Sequence, residues 1–362
     1  MRPCPFRARA ACTLALLLLP ACDDTLGALP SGSVRAGLRC GVCYSPNWTG
    51  AGGDEFGSAA SGKTLEELAG MGIRGVSFIL TAWMDDLTSV RVDDSPYHPR
   101  RRTLDGVRVD AARARRLGMQ IVLKPQLWIR TGEWGGVLRP DEAKGGWGAW
   151  FASYQGYVLE VARAAEELGA DALCAGTELG TSTRQEARWR ALLGEVRRVY
   201  RGRLYYCGAS DDVEGVAFWD AVDALSLSHY LPLSDGRHPS DGELFQRASD
   251  AAAKLVAQAE RLGRPLVLSE VGFPSHLDAT RRPWHWPPEG EDRYPSAEGY
   301  ALQARAYQAI LGTFGQAERV EALYFWRWYT DPPRSGEGPT AYTPWGKPAA
   351  EVLRRACQPT AL

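Results

Sequence analysis

Short apolar runs recur along the chain at 39–44 (RCGVCY), 75–80 (GVSFIL), 120–124 (QIVLK), 172–176 (ALCAG), 204–208 (LYYCG), 224–228 (ALSLS), 265–269 (PLVLS) and 320–326 (VEALYFW). Each has the length of a strand buried on both faces. Between them lie stretches such as DGVRVDAARARRLG, YQGYVLEVARAAEELG and ASDAAAKLVAQAERLG, whose apolar residues recur three and four apart. That is the period of a helix with one buried face. Several of these stretches end in Gly just before the next strand, a C-cap signal. Strand–helix alternation repeated eight times predicts an α/β fold, a (β/α)8 TIM barrel, with a doubly wound sheet as the competing architecture.

The first 22 residues do not belong to that pattern. Arg2, Arg7 and Arg9 precede the apolar stretch ACTLALLLLP, and the segment ends LLPAC. This reads as an export signal, too short to span a membrane as an ordinary helix. Its end resembles a bacterial lipobox, which would make Cys22 the lipidated first residue of an envelope lipoprotein anchored in the membrane; the alternative is a plain secreted protein. Residues 23–36 have the polar, Gly/Pro/Ser-bearing composition of a tether, leaving 37–358 for the barrel. Lys+Arg (42) and Asp+Glu (43) balance, so nothing in the charge points to nucleic acid, and a monomer is expected. Of the cysteines outside the leader, Cys174 and Cys207 fall in strand-like runs and read as buried thiols. A disulfide from Cys40 or Cys43 to Cys357 would tie the chain ends together, which export permits.

One motif misleads. GSAASGKT (57–64) matches the phosphate-cradling loop GxxxxGK[ST]. That loop needs a buried strand running straight into it, whereas NWTGAGGDEF precedes it here. The segment reads instead as a loop and a capped helix, with Thr64 and Glu67 at capping-box spacing.

The candidate chemistry lies where the fourth and seventh strands end. ALCAGTELG places Glu178 just past the fourth run, and PLVLSEVGFPS places Glu270 just past the seventh. In a barrel these ends share the functional face. A carboxyl pair there, one kept protonated and one ionised, is what cleavage of a glycosidic bond requires. No His/Asp cluster has metal-ligand spacing, so no metal and no organic cofactor are implied. The 13 Trp suit either a bulky core or a carbohydrate cleft.

GTELG (176–180), SEVGFPS (269–275), LKPQLWI (123–129), SLSHYLPL (226–233), YFWRWY (324–329) and TPWGKPA (343–349) together resemble the retaining glycoside hydrolases of clan A, most of all family 113, typified by β-mannanases. The resemblance implies Glu178 as acid/base, Glu270 as nucleophile and a polysaccharide or oligosaccharide substrate, best matched by β-1,4-mannan. It also implies a Tyr after the sixth strand bonded to the nucleophile, here Tyr230, and a Trp from the eighth under the cleaved sugar, here Trp326. Two positions depart from the pattern: Thr177 stands where the clan has Asn, and Gln126 where the family has His. Thr177 retains a hydroxyl for a sugar contact. Lys124 reads as a donor to a sugar hydroxyl, a neutralising partner of Glu178, or a structural ion pair. Strand alternation puts Trp328 on the same face as Trp326 and turns His229 away from Tyr230. Arg327 could belong to either the site or the core. Trp83, Trp128 and Trp134 are candidates for further subsites, and Trp284 and Trp286 for a loop closing over substrate. Two readings compete with this one: another β-glycan on the same barrel, and a surface lipoprotein that binds polysaccharide without cleaving it.

Overall fold

A computed structural model describes residues 32–47, 54–95, 97–286 and 290–358. The leader, Cys22 and the tether up to residue 31 lie outside the described residues, as does Trp48. Eight parallel strands close in sequence order: β1 (Arg39–Ser45), β2 (Gly75–Met84), β3 (Gln120–Ile129), β4 (Ala172–Thr177), β5 (Arg203–Ala209), β6 (Leu225–His229), β7 (Leu266–Val271) and β8 (Val320–Tyr329). Around them run α1 (Ala59–Gly70), α2 (Arg100–Arg116), α3 (Gly146–Leu168), α4 (Glu186–Val199), α5 (Asp241–Arg261), α6 (Ala297–Thr313) and α7 (Pro348–Cys357). The chain is a single-domain (β/α)8 barrel. The alternation lapses once: β5 and β6 are joined through two short 3-10 turns, at Val213–Gly215 and Trp219–Ala221, without an α-helix. Trp219 fills that gap with its ring against Tyr206 and its indole N–H donated to the Val213 carbonyl.

Two apolar layers follow from strand alternation. Val42, Phe78, Leu123, Leu173, Leu268 and Phe325 face outward against the helices. Cys43, Ile79, Val122, Cys174, Val267 and Trp326 face the lumen and fill it. The barrel is therefore a packed core whose opening lies at the C-terminal strand ends.

β2 and β3 are ten residues each, longer than their apolar runs, and pair without interruption from Gly75–Gln120 to Met84–Ile129. β3 continues through Pro125 because its pairing with β4 has already ended at Leu123–Leu173, so proline's missing N–H costs no bond there. GSAASGKT forms the start of α1, but its cap differs from the expected one. Ser58 is the N-cap and accepts from the Ser61 N–H, while Thr64 lies inside the helix and donates to the Thr330 carbonyl. The hydroxyl of Ser58 meets the free Ser61 amide, so the helix is capped without a capping box at Thr64.

Cys40 and Cys357 are joined by a disulfide. Cys174 and Cys207 are buried as expected, yet they are bonded to each other rather than free, since β4 and β5 are neighbours and both cysteines face the lumen. Among the described residues Cys43 is the free thiol. The Cys40–Cys357 bond closes a loop of 317 residues, nearly the whole barrel. Cys357→Ser is expected to lower stability by about 2–4 kcal/mol. Urea unfolding of oxidised wild type against the variant checks this; equal midpoints would show that the bond contributes nothing.

Candidate active site

Glu270 lies within β7, and plain alternation would turn it outward. Val267 faces the lumen and Leu268 the helices, so Ser269 should face in and Glu270 out. The register against β6 slips here: Leu227 pairs with Leu268, but Ser228 pairs with Glu270. The extra residue is Ser269, and a one-residue bulge reverses which face the next side chain takes. Glu270 therefore enters the lumen, 4 % exposed. Gly272 follows because a Cβ there would stand 2.5 Å from the Trp326 carbonyl oxygen.

A buried carboxylate needs partners, and Glu270 has three donors. The Lys124 ammonium lies 2.7 Å from Oε1, and the Gln126 amide donates to the same oxygen at 2.6 Å. Tyr230 donates its hydroxyl to Oε2 at 2.9 Å. Lys124 is itself fully buried, and it also donates to the Ser269 carbonyl at 2.9 Å. That carbonyl accepts from the Cys43 thiol as well, and burial pushes this thiol up to about 12, so it stays protonated. Of the three readings of Lys124, the ion pair holds. Its partner is Glu270 and not Glu178, because β3 and β7 are opposite one another in an eight-strand ring and their side chains meet across its centre.

Glu178 is held differently. It follows β4 with φ +51°, a left-handed conformation unusual for a residue with a side chain and costing about 1–3 kcal/mol. Its N–H donates to the Cys207 carbonyl at 2.8 Å, which fixes the turn. Its Oε2 accepts the Trp134 indole N–H at 2.8 Å. Burial, and then the negative charge of Glu270, raise its carboxyl from the usual carboxylate range to about 7; Trp134 and Lys124 oppose that rise in part. One carboxyl group thus has an ammonium and two neutral donors, and the other is poised to carry a proton near neutral pH.

The remaining candidates fall into three groups. Trp83 and Trp128 are register partners on the lumen side of β2 and β3, with ring centroids 6.0 Å apart, and Tyr97 meets Trp83 at 6.1 Å. They form an aromatic wall above Lys124 and Gln126. Trp326 lines the lumen. Trp328 does not share its face, contrary to the alternation argument. β8 carries one extra residue where Val42 pairs with Phe325 but Tyr44 pairs with Trp328, and Trp328 joins the outer layer. Thr177 donates its hydroxyl to the Pro125 carbonyl at 3.0 Å, so only its oxygen lone pairs are left for a ligand. His229 is buried in the outer direction against Phe314, as alternation requires. Across the mouth, Tyr342 lies between Tyr230 (6.3 Å) and Trp286 (6.0 Å), while Trp284 is exposed.

Two contributors were underrated by sequence reasoning. Gln126 appears there only as a departure from a family pattern, although its position two residues past Lys124 on one strand puts both on the same face. Trp134 is one of several tryptophans until the 3-10 turn Gly135–Val137 fixes it beside Glu178.

A closed eight-strand barrel with two carboxyl groups at strand ends four and seven, unequal in charge environment and walled by indoles, fits hydrolysis of a sugar linkage. The sequence profile of Glycoside Hydrolase Family 113 matches residues 45–347. The chain belongs to this family. Among solved structures, a GH113 β-1,4-mannanase is similar at 25 % identity and a TM-score of 0.73, covering 87 % of this chain and 96 % of its own. The GH113 β-mannanase AaManA from Alicyclobacillus acidocaldarius, solved in complex with ManMIm, is similar at 27 % identity and TM-score 0.72, covering 90 % and 96 %. A family 5 mannosidase from Rhizomucor miehei, 13 % identical with a TM-score of 0.59, shares the fold. No curated protein sequence matches the chain. This GH113 protein is a glycoside hydrolase, and its barrel is of the clan A type.

The Lys124–Glu270 pair sets a test of the site's electrostatics. Removing one partner of a buried ion pair leaves the other uncompensated, at about 3–5 kcal/mol. Lys124→Met is expected to destabilise the protein by that amount, and Lys124→Met with Glu270→Gln by distinctly less. Denaturant titration of the single and double variants checks the sign of the coupling, and simple additivity would contradict it.

Proposed function

We propose that this GH113 hydrolase cleaves β-1,4-linked mannan with retention, using Glu178 as acid/base and Glu270 as nucleophile. The observation that carries the reading is the unequal treatment of the two carboxyl groups. Glu270 receives three donors, among them a buried ammonium, which suits an ionised nucleophile. Glu178 has burial and a neighbouring negative charge, which raise its carboxyl to about 7 and suit a proton donor. The mannan assignment is supported by the β-mannanases among its structural relatives and by the indoles lining the mouth.

In the first step a Glu270 oxygen bonds to the anomeric carbon as the bond from that carbon to the glycosidic oxygen breaks, and Glu178 gives its proton to the departing glycosidic oxygen. In the second, Glu178 takes a proton from water, whose oxygen displaces Glu270 from the anomeric carbon. Both carboxylates return to their starting states and the configuration is retained, the outcome for groups about 5–5.5 Å apart. Tyr230 and Gln126 hold Glu270 in one orientation, and Lys124 supplies the counter-charge before and after the ester forms. The leader and Cys22 support a further part of the proposal, an exported lipoprotein whose catalytic barrel is anchored at the cell envelope. The two disulfides suit an oxidising compartment.

Glu270→Ala is expected to abolish release of reducing ends from β-mannan, and Glu178→Ala to spare substrates with activated aryl leaving groups. Azide should then restore turnover of the Glu178 variant and give a β-mannosyl azide. An α-product, or mannan turnover by the Glu270 variant, would overturn the assignment. Glu178 must be protonated for attack on mannan, so kcat/KM is expected to fall as pH rises through about 7. Trp134 N–H favours the charged form of Glu178, so Trp134→Phe should move that alkaline limb upward. A limb that stays fixed or moves down in the pH–rate profile would contradict the assigned hydrogen bond.

A further inference from the structure

Behind Trp326 lies a second buried ion pair that the chemistry above does not use. Arg327 and Glu337 have side chains only 6 % and 5 % exposed, and the Arg327 Nε donates to Glu337 Oε1 at 3.0 Å, with Nη2 reaching the same oxygen. The guanidinium carbon stands 4.8 Å from the Trp326 ring centroid and 4.7 Å from that of Tyr329. Glu337 belongs to the segment joining β8 to α7, which five residues later presents Tyr342 to Tyr230, itself bonded to Glu270. Tyr342 also donates its hydroxyl to the Pro283 carbonyl at 2.6 Å, linking this segment to the loop after β7.

A buried ion pair is an expensive way to fill a core, since apolar residues of similar volume are usually as stable or more so. What this pair adds is direction. A flat guanidinium held through two nitrogens by one carboxylate has a fixed plane, and here it lies over an indole. From the β7 side Trp326 is confined by the backbone at Gly272, which has no room for a Cβ. The backbone and Cβ of Trp326 are thus confined from the β7 side and its ring is covered by Arg327, in both cases by groups that do not face the substrate.

We propose that Arg327, braced by Glu337, is a positioning residue that holds the Trp326 indole as the platform for the sugar being cleaved, and so fixes how that sugar meets Glu270. The proposal rests on the functional reading above. It assigns no substrate contact to either charge. The effect should appear in kcat, because a misplaced platform disturbs the reacting geometry more than the affinity.

The test uses the full barrel and two substrates, β-mannan and an activated aryl β-mannoside. In Arg327→Met/Glu337→Leu both charges are replaced together, which protects the fold. This variant is expected to keep a thermal midpoint near that of wild type while kcat falls about tenfold or more on both substrates and KM changes about twofold at most. Arg327→Lys keeps the charge opposite Glu337 but lacks the flat fork, and it is expected to lose kcat in the same direction; should the double variant fail to fold, this one decides. A folded variant with wild-type kcat, or a loss confined to KM, would overturn the proposal. Wild type that hydrolyses neither substrate would instead overturn the functional reading.

Discussion

A charge placed in the middle of an apolar barrel governs much of this architecture. Glu270 and Lys124 are both almost wholly withdrawn from solvent, and neither could be there alone. Their meeting requires strands from opposite sides of the ring to send long side chains to one point. It also requires the carboxylate to arrive on the lumen side of β7, which the Ser269 bulge provides. The carbonyl of that bulge residue then serves as the second acceptor for Lys124 and as the acceptor for Cys43. The irregularity that aims the carboxylate thus also satisfies its counter-ion, and the lower lumen beneath them is free to be apolar.

The second carboxyl group inherits its character from the first. Glu178 has no ammonium of its own, because Lys124 is committed to Glu270. What reaches Glu178 is the negative charge of Glu270, the Trp134 indole N–H and a weaker pull from Lys124. Burial and repulsion both favour its neutral form, while Trp134, Lys124 and Ser228 oppose them only in part. Two residues of the same type become chemically unlike through the placement of a single lysine.

Sequence patterning revealed the eight strands because each is buried on both faces and bounded by glycine and helix caps. It also placed the two carboxylates at strand ends four and seven. It did not reveal what happens between neighbouring strands. Alternation correctly turns His229 from the lumen, but it fails at Trp328, where β8 gains a residue against β1. It would fail at Glu270 too if Ser269 were counted as an ordinary strand residue. Such bulges leave no mark in hydrophobic period, since both faces of these strands are buried and a slip exchanges one apolar environment for another. The partner of Lys124 was hidden for a related reason: three roles could be read for it from one chain, and only closure of the ring selects among them. Burial of Cys174 and Cys207 could be read from their runs, whereas their bond depends on β4 and β5 being neighbours with both side chains in the lumen.

The departures from regular pairing are not scattered. Pairing is unbroken between β2 and β3. It slips at β1/β8, β4/β5, β6/β7 and β7/β8, the strands that deliver Trp326, Glu178 and Glu270. A regular barrel strand presents lumen residues two positions apart, in layers set by the sheet geometry. Under the proposed chemistry, groups that converge on one bond cannot all occupy those fixed heights and faces. A bulge shifts a side chain by one position without disturbing the helices outside, because Leu266, Leu268 and Val271 still pack outward on β7 across the slip. The site is thus specified by local exceptions within an otherwise repetitive scaffold, and the scaffold tolerates them because its outer layer remains in register with the helices.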